Sequence, residues 1–496
     1  MPGNAILGWL GPLLVAVFAG LLRFDRLHIP GKIIFDETYY AKDAWSLLRF
    51  GAEHSTVENA DKLIEQGRTT GIFTDGGSFV VHPPVGKWMI AAGEQLFGLT
   101  PFGWRFSAAL IGALSVLIIA RLARRMTRST LLGCIAGLLL ALDGLHFVLS
   151  RTALLDVFLM FWVLAAFACL VVDRDRSRAK LVRIMETRTV TGRGPWLGTR
   201  WWRIAAGICL GLAVGTKWNA LFFVAAFGLL TVTWDYGARR AAGLRSANSG
   251  WFLLDALPAF ASTVVLGAVT YLASWAGWFA SAIGEHRHWA DAKPSGFSFV
   301  PESLRSLWHY HAEILRFHSD LSQSHPYQSQ PWQWMLDLRP VAFFYSSPKS
   351  GEIGCTAPQC AREVLGLGTP AIWWGALIAL AVLVWWWLIT RDWRAGAVLL
   401  GVAAGWLPWF LFLDRTKFFF YTAPYLPFLV LALTLALGLL IGPSDGRPVR
   451  RAAGASITGA YLLVVILNFL YLYPVLAAKV IPQAEWGARI WFKSWV

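Results

Sequence analysis

The apolar block ILGWLGPLLVAVFAGLL, residues 6–22, and the later stretch FDETYYAKDAWSLLRFG, residues 35–51, together decide the fold class. The block is long enough to cross the hydrocarbon core of a bilayer as a helix. The later stretch opens with two adjacent carboxylates, Asp36 and Glu37, and continues with amphipathic spacing. Amphipathic segments of that kind lie in the membrane interface. The apolar block and the amphipathic stretch together therefore predict a membrane protein with charged side chains beside the bilayer surface.

The composition extends this prediction to the whole chain. Of its 496 residues, 56% are hydrophobic and only 15% are charged, and the mean hydropathy is +0.52. Soluble domains usually carry about 25% charged residues. Apolar blocks recur along the full length, which predicts an all-α polytopic membrane protein. We expect residues 6–22 to be a retained span, because no basic segment precedes them and no clear cleavage site follows.

The net charge of +15 could suggest a nucleic-acid partner, but its distribution argues against one. The arginines and lysines collect in short segments between the apolar blocks, whereas acidic residues are abundant in two long segments. This asymmetry is the positive-inside pattern, which places the short basic segments in the cytoplasm. These segments are Arg121–Arg128, Arg174–Arg203, Arg239–Arg245, Arg391–Arg394 and Arg447–Arg451.

The alternation of basic segments predicts about eleven spans, with the N-terminus inside and the C-terminal tail outside. Residues 204–236 must then hold two short spans joined by a tight outer turn at Gly215–Asn219. The predicted regions are a first span (1–22), outer loop 1 (23–103), spans 2–7 (104–279), outer loop 2 (280–369), spans 8–11 (370–474) and an outer tail (475–496).

Outer loop 1 contains two predicted amphipathic helices. Apolar residues recur every three to four positions in 36–50, and Gly51 is a suitable helix stop. The second helix covers Lys87–Leu99 and follows the rigid sequence His82-Pro83-Pro84. The apolar face of the first comprises Tyr40, Ala41, Ala44, Trp45 and Leu48.

Asp36 and Glu37 cannot act as a facing pair of acids. Adjacent side chains point about 100° apart on a helix and to opposite sides of a strand. The two carboxylates therefore have separate roles or none. One interpretation is purely structural, with Asp36 as a helix N-cap and Glu37 as a favourable charge in the first turn.

A second interpretation takes the neighbouring cations into account. Arg105, Lys217 and Arg415 each lie beside a predicted span, and Lys87 lies in outer loop 1 on the same predicted side of the membrane. Ionisable groups near the membrane usually face a cavity or a partner, although long cationic side chains also reach the interface without a function. A carboxylate base beside cations suits transfer of a group from a lipid phosphate. The cations hold the phosphate charge, and the base takes a proton from the incoming hydroxyl.

An ordered set of motifs resembles the protein O-mannosyltransferase family. The motifs run in order from about residue 20 to about residue 475. They are FDETYYAKDA, HPPVGKW, PFGWRFSAALIG, LDGLHFVLSRTALLDVFLMFW, GTKWNAL, HSHPYQSQPWQWML and RTKFFFYTAPYLPF. The resemblance implies a GT-C membrane glycosyltransferase that moves mannose from polyprenyl-phosphate-mannose to Ser or Thr hydroxyls of translocated proteins, with inversion at the sugar.

The resemblance also implies roles for individual residues. Asp36 would be the general base, and Glu37 would position the acceptor or orient a neighbouring arginine. Arg105 matches the family's basic residue at the start of span 2. The expected donor-phosphate ligands are Lys87, Arg105, Lys217 and Arg415. The expected acceptor or substrate contacts are His82, His325, Tyr327, Gln330 and Trp332, although His325 before Pro326 could equally fix a turn.

Outer loop 2 departs from the eukaryotic pattern. At about 90 residues it is too short for the β-trefoil MIR domain of those enzymes plus the motif, so the chain resembles the bacterial branch. We expect a multi-pass protein of the cell membrane with its site on the outer face. Its predicted partners are the lipid-linked donor, secreted or membrane acceptor proteins and the translocation machinery. Two alternatives stay open, a GT-C enzyme with a lipid or cell-wall glycan acceptor, and a membrane transporter.

Cysteine and histidine patterns predict no cofactor. Cys355 and Cys360 lie in outer loop 2, where a disulfide is permitted and a short loop can be closed. The other cysteines fall inside apolar blocks. His286 and His288 are two positions apart, and such residues do not face each other on a helix. We therefore predict no metal site and no obligatory divalent metal.

Overall fold

The fold is described from a computed structural model that covers residues 5–187, 190, 193–244, 247–291, 293 and 299–496. Within these ranges, eight helices are long and apolar enough to cross a membrane. Three shorter apolar helices, Gly8–Phe24, Thr130–Ala141 and Trp201–Val214, occupy positions where further spans were predicted. The polytopic helical fold is confirmed, whereas eleven crossings and the region boundaries stay predictions. Arg245 and residues 1–4 lie outside the described ranges.

The helices follow the apolar blocks in chain order. They are α1 (Ala5–Phe24), α2 (Glu37–Phe50), α3 (Ala60–Glu65), α4 (Val85–Phe97), α5 (Pro101–Thr127), α6 (Thr130–Ala141), α7 (Gly144–Leu149), α8 (Leu155–Thr187), α9 (Trp201–Val214), α10 (Ala220–Ala241), α11 (Asn248–Ser274), α12 (Ala276–Ala280), α13 (Glu302–Asp320), α14 (Pro331–Trp334), α15 (Pro370–Thr390), α16 (Trp393–Trp406), α17 (Leu426–Ile441), α18 (Pro448–Leu476) and α19 (Gln483–Arg489). Short 3₁₀ turns cover Leu407–Leu411, Phe419–Tyr425 and Lys493–Trp495.

The predicted amphipathic helices of outer loop 1 are present as α2 and α4. The face of α2 that was expected to be apolar is buried from Tyr40 to Trp45, and Leu48 is half-buried. The helix ends at Gly51, whose φ of 78° only glycine adopts readily and whose N–H donates to the Leu47 carbonyl at 2.9 Å. Each helix therefore begins and ends within a few residues of its predicted limits.

Within the region predicted to hold spans 2–7, the apolar segment 131–149 is long enough for one span but is two helices. A buried carboxylate, Asp143, separates α6 from α7, and its Oδ1 accepts the His146 N–H at 2.9 Å. Its Oδ2 accepts Trp373 Nε1–H at 2.8 Å from α15. The chain breaks here because the Asp143 carboxylate, at the N-cap of α7, accepts an amide hydrogen bond from the first turn of that helix. Its contact with Trp373 forms only because the tertiary fold places α15 beside it.

Small sheets, which were not predicted, lie in the two long outer segments. Strands β1 (His54–Thr56) and β2 (Phe73–Gly77) pair antiparallel. Strands β3 (Val341–Ser346), β4 (Cys360–Gly366) and β5 (Ile481–Pro482) form a second antiparallel sheet. Cys355 and Cys360 form a disulfide in the β3–β4 connection. The second sheet thus connects outer loop 2 to the C-terminal tail.

Helices α5, α6, α8 and α17 surround the core. The first half of α8 is almost continuously buried, as is most of α17. Arg151, which lies just before α8, donates to the carbonyls of Leu22, Arg23, Asp25 and Arg26 and so caps the C-terminal end of α1. This cap fixes the chain that leaves α1 and leads to the acid pair.

Candidate active site

Two distant motifs meet where α4 begins. The Val85 N–H donates to the Gly215 carbonyl at 2.9 Å, which joins HPPVGK to the turn between α9 and α10. A Cβ atom on Gly215 would come within 2.6 Å of Val85 Cγ2, so this close approach needs glycine. The contact brings His82 and Lys217 to one cavity.

Helix α13 adds a third segment to this cavity. His318 Nε2–H donates to the Val81 carbonyl at 2.9 Å, and His318 Nδ1 accepts from Arg415 Nη2 at 3.2 Å. Arg415 Nε also donates to the His318 carbonyl at 3.0 Å. Burial and the neighbouring cations lower the pKa of His318 to about 4, so its ring stays neutral and holds Arg415 in place as an acceptor.

The resulting cavity, called here the Arg415 cavity, has a volume of about 410 Å³ and a polar and an apolar part. The apolar part opens past Leu411, which is 80% exposed, and Leu315, which is 58% exposed. The lining residues are His82, Asp156, Lys217, Trp218, Asn219, Leu221, Phe222, Leu315, His318, Ser319, Trp409, Leu411, Phe412, Leu413, Asp414, Arg415 and Tyr421.

Two of the four predicted phosphate ligands line this cavity. Arg415 is half-buried and makes no ion pair with any residue in the described ranges, so part of its guanidinium is open to the cavity. Lys217 Nζ donates to Asp156 Oδ2 at 2.8 Å, which uses one of its three N–H groups. The remaining donors of both side chains can meet an anion.

Arg105 is not placed to bind a phosphate, contrary to the prediction. It is fully buried, and its Nε and Nη2 donate to the two oxygens of Glu37 at 2.7 and 2.8 Å. Its other N–H groups donate to the carbonyls of Leu27, Pro30 and Lys32. All five guanidinium donors are thereby used within the protein, because the buried Glu37 carboxylate requires a counter-ion.

Lys87 is likewise occupied, contrary to the prediction. Its side chain is buried and its ammonium forms ion pairs with Glu53 and, at 3.5 Å, with Asp43. It therefore neutralises carboxylates inside outer loop 1 rather than facing the Arg415 cavity. The sequence could not distinguish Lys87 and Arg105 from Lys217 and Arg415, since all four cations follow or precede apolar runs.

Asp36 and Glu37 occupy different environments, as their adjacency predicted. Glu37 is fully buried and also accepts the amides of Ile34 and Ala153, each at 3.1 Å. Asp36 stands at the N-cap position of α2, yet its side chain makes no capping hydrogen bond. Asp36 therefore occupies the N-cap position that the structural interpretation gave it, without the side-chain hydrogen bond that a cap would make.

The Asp36 carboxylate makes no hydrogen bond or ion pair with any residue that the structure describes. Burial raises its pKa to about 6, while the charge of nearby Lys217 opposes that shift and Asp156 adds to it. The preceding Phe35 has a φ of 47°, and its ring lies 4.9 Å from that of Phe343. Asp36 does not itself line the Arg415 cavity, but a strained backbone and a packed ring hold its carboxylate within electrostatic range of Lys217 and Asp156, which do.

The motif HSHPYQSQPWQW borders the cavity through the loop 412–418. The Ser329 N–H donates to the Lys417 carbonyl at 2.9 Å, and Gln330 Nε2 donates to the Leu413 carbonyl at 3.2 Å. Gln330 lines a smaller adjacent cavity of about 220 Å³ together with Arg415. The structure therefore brings this motif to the edge of the site, but none of its four predicted contact residues lines the Arg415 cavity itself.

The other motif residues have distinct local roles. His325 Nδ1 accepts the Tyr327 N–H at 3.1 Å, which is the turn-fixing arrangement considered above. Tyr327 is half-buried beneath the Arg339 guanidinium. Trp332 is 53% exposed, whereas Trp334 is buried in the core. Of the two tryptophans, only Trp332 presents a surface to a ligand.

Sequence reasoning missed two residues of the cavity's polar part. His318 is one of several histidines on α13, and no motif distinguished it. Asp156 stood out only as an acid near the start of a span, yet it is the counter-ion of Lys217. His318 holds Arg415 and Asp156 holds Lys217, so each positions one cation of the cavity. The sequence did not reveal either role, because a contact between distant segments leaves no local signal.

One group of side chains could accept a metal ion. His286, His309 and Glu313 each offer a ligand atom within 4.8 Å of the others. They already pair with one another, since His286 and His309 contact the two Glu313 oxygens at 2.7 and 3.0 Å. None of the three lines the Arg415 cavity. The predicted absence of a metal site stays a prediction.

The helical membrane fold, together with the family models that match it, identifies a membrane glycosyltransferase. A family model described as "Dolichyl-phosphate-mannose-protein mannosyltransferase" matches residues 13–236. A second model, "C-terminal four TMM region of protein-O-mannosyltransferase", matches residues 303–495. The chain belongs to this protein mannosyltransferase family, as its motifs predicted, which favours the enzyme over the transporter alternative.

Relatives match over nearly their whole length. A polyprenol-phosphate-mannose–protein mannosyltransferase of Mycolicibacterium smegmatis is 42% identical over 98% of this chain and 93% of its own. One of Corynebacterium glutamicum is 36% identical over 97% and 92%. The Saccharomyces cerevisiae protein O-mannosyltransferase Pmt1–Pmt2 complex bound to the sugar donor has a chain with a TM-score of 0.74 and 16% identity, covering 100% of this chain and 93% of that one. The last match shows a shared fold.

Proposed function

We propose that this enzyme transfers mannose from polyprenyl-phosphate-mannose to Ser or Thr hydroxyls of translocated proteins, with inversion at the sugar and Asp36 as general base. The observation that carries the proposal is the unpaired Asp36 carboxylate beside a cavity that holds an open guanidinium and an apolar exit. Its relatives of 36–42% identity carry the name of this activity.

The donor would lie with its phosphate against Arg415 and Lys217. Charge-assisted hydrogen bonds from these cations are stronger than neutral ones. The two contacts between Arg415 and His318 would orient the guanidinium toward the phosphate. The polyprenyl chain would leave along the apolar part of the cavity, past Leu411 and Leu315. No metal is needed in this arrangement, because cationic side chains meet the phosphate charge.

The chemistry needs one base and a good leaving group. Asp36 accepts the proton of the acceptor hydroxyl while the hydroxyl oxygen forms a bond to C1 of mannose. The bond from C1 to the phosphate oxygen breaks on the opposite side, and its electron pair leaves with the phosphate. Attack opposite the leaving group inverts the anomeric centre. The phosphate leaves as an anion, so no second acid is required and Glu37 is free for a structural role.

The acceptor would approach along the surface formed by outer loop 2. Trp332 is exposed and offers a flat apolar surface, and Gln330 offers an amide near Arg415. His325 and Tyr327 would support that surface through their turn. We place the site at the outer face of the cell membrane on the basis of the charge distribution, and association with the translocation machinery stays a prediction.

Purified enzyme with polyprenyl-phosphate-mannose and a peptide rich in Ser, Thr and Pro tests the proposal. We expect mannosyl-peptide by mass spectrometry. Mannose found on a lipid or a cell-wall glycan instead of peptide would reject the protein acceptor and favour the glycan or lipid alternative.

We expect Arg415→Gln to weaken donor binding by about 10–100-fold. The reason is the loss of a charge-assisted hydrogen bond of roughly 1.5–3 kcal/mol in a partly desolvated site. The change should appear in the KM for donor. The matched control is Arg49→Gln, which removes the same charge from exposed α2 surface. An unchanged KM in Arg415→Gln, or an equal rise in both variants, would contradict the assignment.

The pH dependence of kcat/KM should rise to a plateau through a midpoint near pH 6. Asp36 acts as a base only when deprotonated, and its pKa is raised to about 6, so activity is lost as pH falls through this value. Because Lys217 lowers this pKa, Lys217→Gln should move the midpoint upward. A profile that stays flat from pH 5 to 8 with chemistry rate-limiting would argue against Asp36 as the base.

A further inference from the structure

A second and larger cavity lies between Trp9 of α1, the C-terminal part of α5, the middle of α8, Trp202 of α9 and the residues before and at the start of α16. Its volume is about 1140 Å³, and it shares no lining residue with the Arg415 cavity. Eight arginines and two aspartates line it, which leaves a formal excess of six positive charges. We call it the arginine cavity.

We propose that the arginine cavity binds the anionic headgroup of a phospholipid from the adjacent leaflet. Basic pockets between membrane helices suit lipid headgroups, since the cations stay close to the surface while the acyl chains stay in the bilayer. The proposal concerns a site separate from mannosyl transfer and does not depend on the proposed function.

Several of the cations have no acidic partner. Arg125 and Arg394 pair with the two aspartates, at 2.8 and 2.6 Å. Arg128 and Arg176 make no ion pair with any residue in the described ranges. Arg178 donates only to a backbone carbonyl, and its Nε is buried without a hydrogen-bond partner. These three guanidinium groups are therefore available to an anion.

Other arginines are held rigid by aromatic rings. The Arg121 guanidinium stacks on Trp9 at 3.6 Å, and that of Arg174 stacks on Trp393 at 3.7 Å. Stacked guanidinium groups keep their edge donors free for phosphate, which they can bind in bidentate fashion. Tryptophans at the same level are typical of the membrane interface, where headgroups lie.

The rest of the cavity wall distinguishes a lipid from a soluble anion. Leu117, Ile118 and Leu122 of α5 and Val172 of α8 line the part furthest from the helix ends. Leu117 and Arg128 are separated by roughly 16 Å along the helix axis, at about 1.5 Å per residue. The wall thus changes from apolar to cationic along α5, as a phospholipid does from its acyl chains to its headgroup.

A matched pair of triple variants tests the proposal. Arg128→Gln/Arg176→Gln/Arg178→Gln removes three charges from the cavity. Arg447→Gln/Arg450→Gln/Arg451→Gln removes three charges at the start of α18, on the same predicted side of the membrane and outside the cavity. Binding of phosphatidylglycerol and of phosphatidylcholine with the same acyl chains is measured on the purified full-length protein by native mass spectrometry.

We expect wild type to prefer phosphatidylglycerol and the cavity triple variant to lose roughly 100-fold of that affinity, with little change in the control. Equal losses in both variants would mean general surface attraction and would overturn the proposal. So would equal binding of the two lipids, displacement by inorganic phosphate alone, or a preference for polyprenyl phosphate over phosphatidylglycerol.

A measurement on the wild-type protein covers the case in which the cavity variant does not fold. Photo-crosslinking with a phosphatidylglycerol probe should label peptides that contain residues 117–128 and 168–178. Labelling confined to other lipid-facing helices, such as α15, would overturn the assignment.

Discussion

Asp36→Asn lowers the turnover of mannosyl transfer by about 10²–10⁴-fold, the range typical of a lost general base, while donor binding is retained. The amide has nearly the same shape but cannot accept the hydroxyl proton. Purified wild type and variant are compared with saturating donor and peptide, and mannosyl-peptide is quantified by mass spectrometry.

The same substitution should leave stability intact. The carboxylate makes no hydrogen bond or ion pair with any part of the chain that the structure describes, and its raised pKa means that folding disfavours the charged form. Asp36→Asn should therefore unfold at the temperature of wild type or slightly above it at pH 7. Near-wild-type turnover in this variant would exclude Asp36 as the base and move the search to another group.

Glu37→Gln should reduce the free energy of unfolding by about 3–5 kcal/mol, because it leaves the fully buried Arg105 without its counter-ion. Activity falls with the folded fraction. Thermal unfolding of the detergent-purified protein, followed by intrinsic tryptophan fluorescence, compares this variant directly with Asp36→Asn.

A double-mutant cycle separates the ion pair from a chemical role. Arg105→Gln alone should be about as destabilising as Glu37→Gln, and the variant with both substitutions should be less destabilised than the sum of the two. Arg105→Lys should not restore stability, since an ammonium cannot replace five directed donors. If Glu37→Gln were inactive yet as stable as wild type, Glu37 would belong to the chemistry.

Much of the fold could be predicted because it depends on local pattern. The apolar blocks became helices, and the short pair in 204–236 is present as α9 and α10 around a turn that contains Lys217. The break at Asp143 and the small sheets were missed. The partner of Asp143, Trp373 of α15, lies 230 residues further along the chain, and the β4–β5 pairing also joins distant segments. Strands β1 and β2, and likewise β3 and β4, pair between nearby segments but are short.

The site was predicted in part. The acid pair, with its two separate environments, follows from the geometry of adjacent residues. Of the four cations expected to bind the donor phosphate, Lys217 and Arg415 line one cavity, whereas Lys87 and Arg105 are internal counter-ions. Every one of the four is a cation beside an apolar run. Lys87 and Arg105 are neutralised inside the protein by Glu53 and Glu37. Lys217 also has a carboxylate partner, Asp156, but it lines the Arg415 cavity, and Arg415 makes no ion pair with any residue in the described ranges.

The sequence by itself determined that this chain is a helical membrane protein of the protein mannosyltransferase family, where its charged segments fall, and that Asp36 and Glu37 do not form a facing pair of acids. These properties depend on composition, on periodicity and on ordered motifs, all of which are local. Only the tertiary structure decided which charges are neutralised and which stay open. Among the described residues, Asp36 and Arg415 have no ionic partner, because the packing of α2, α13 and the loop 412–418 brings none of their opposite charges into contact with them. Such long-range packing is not written in any single segment.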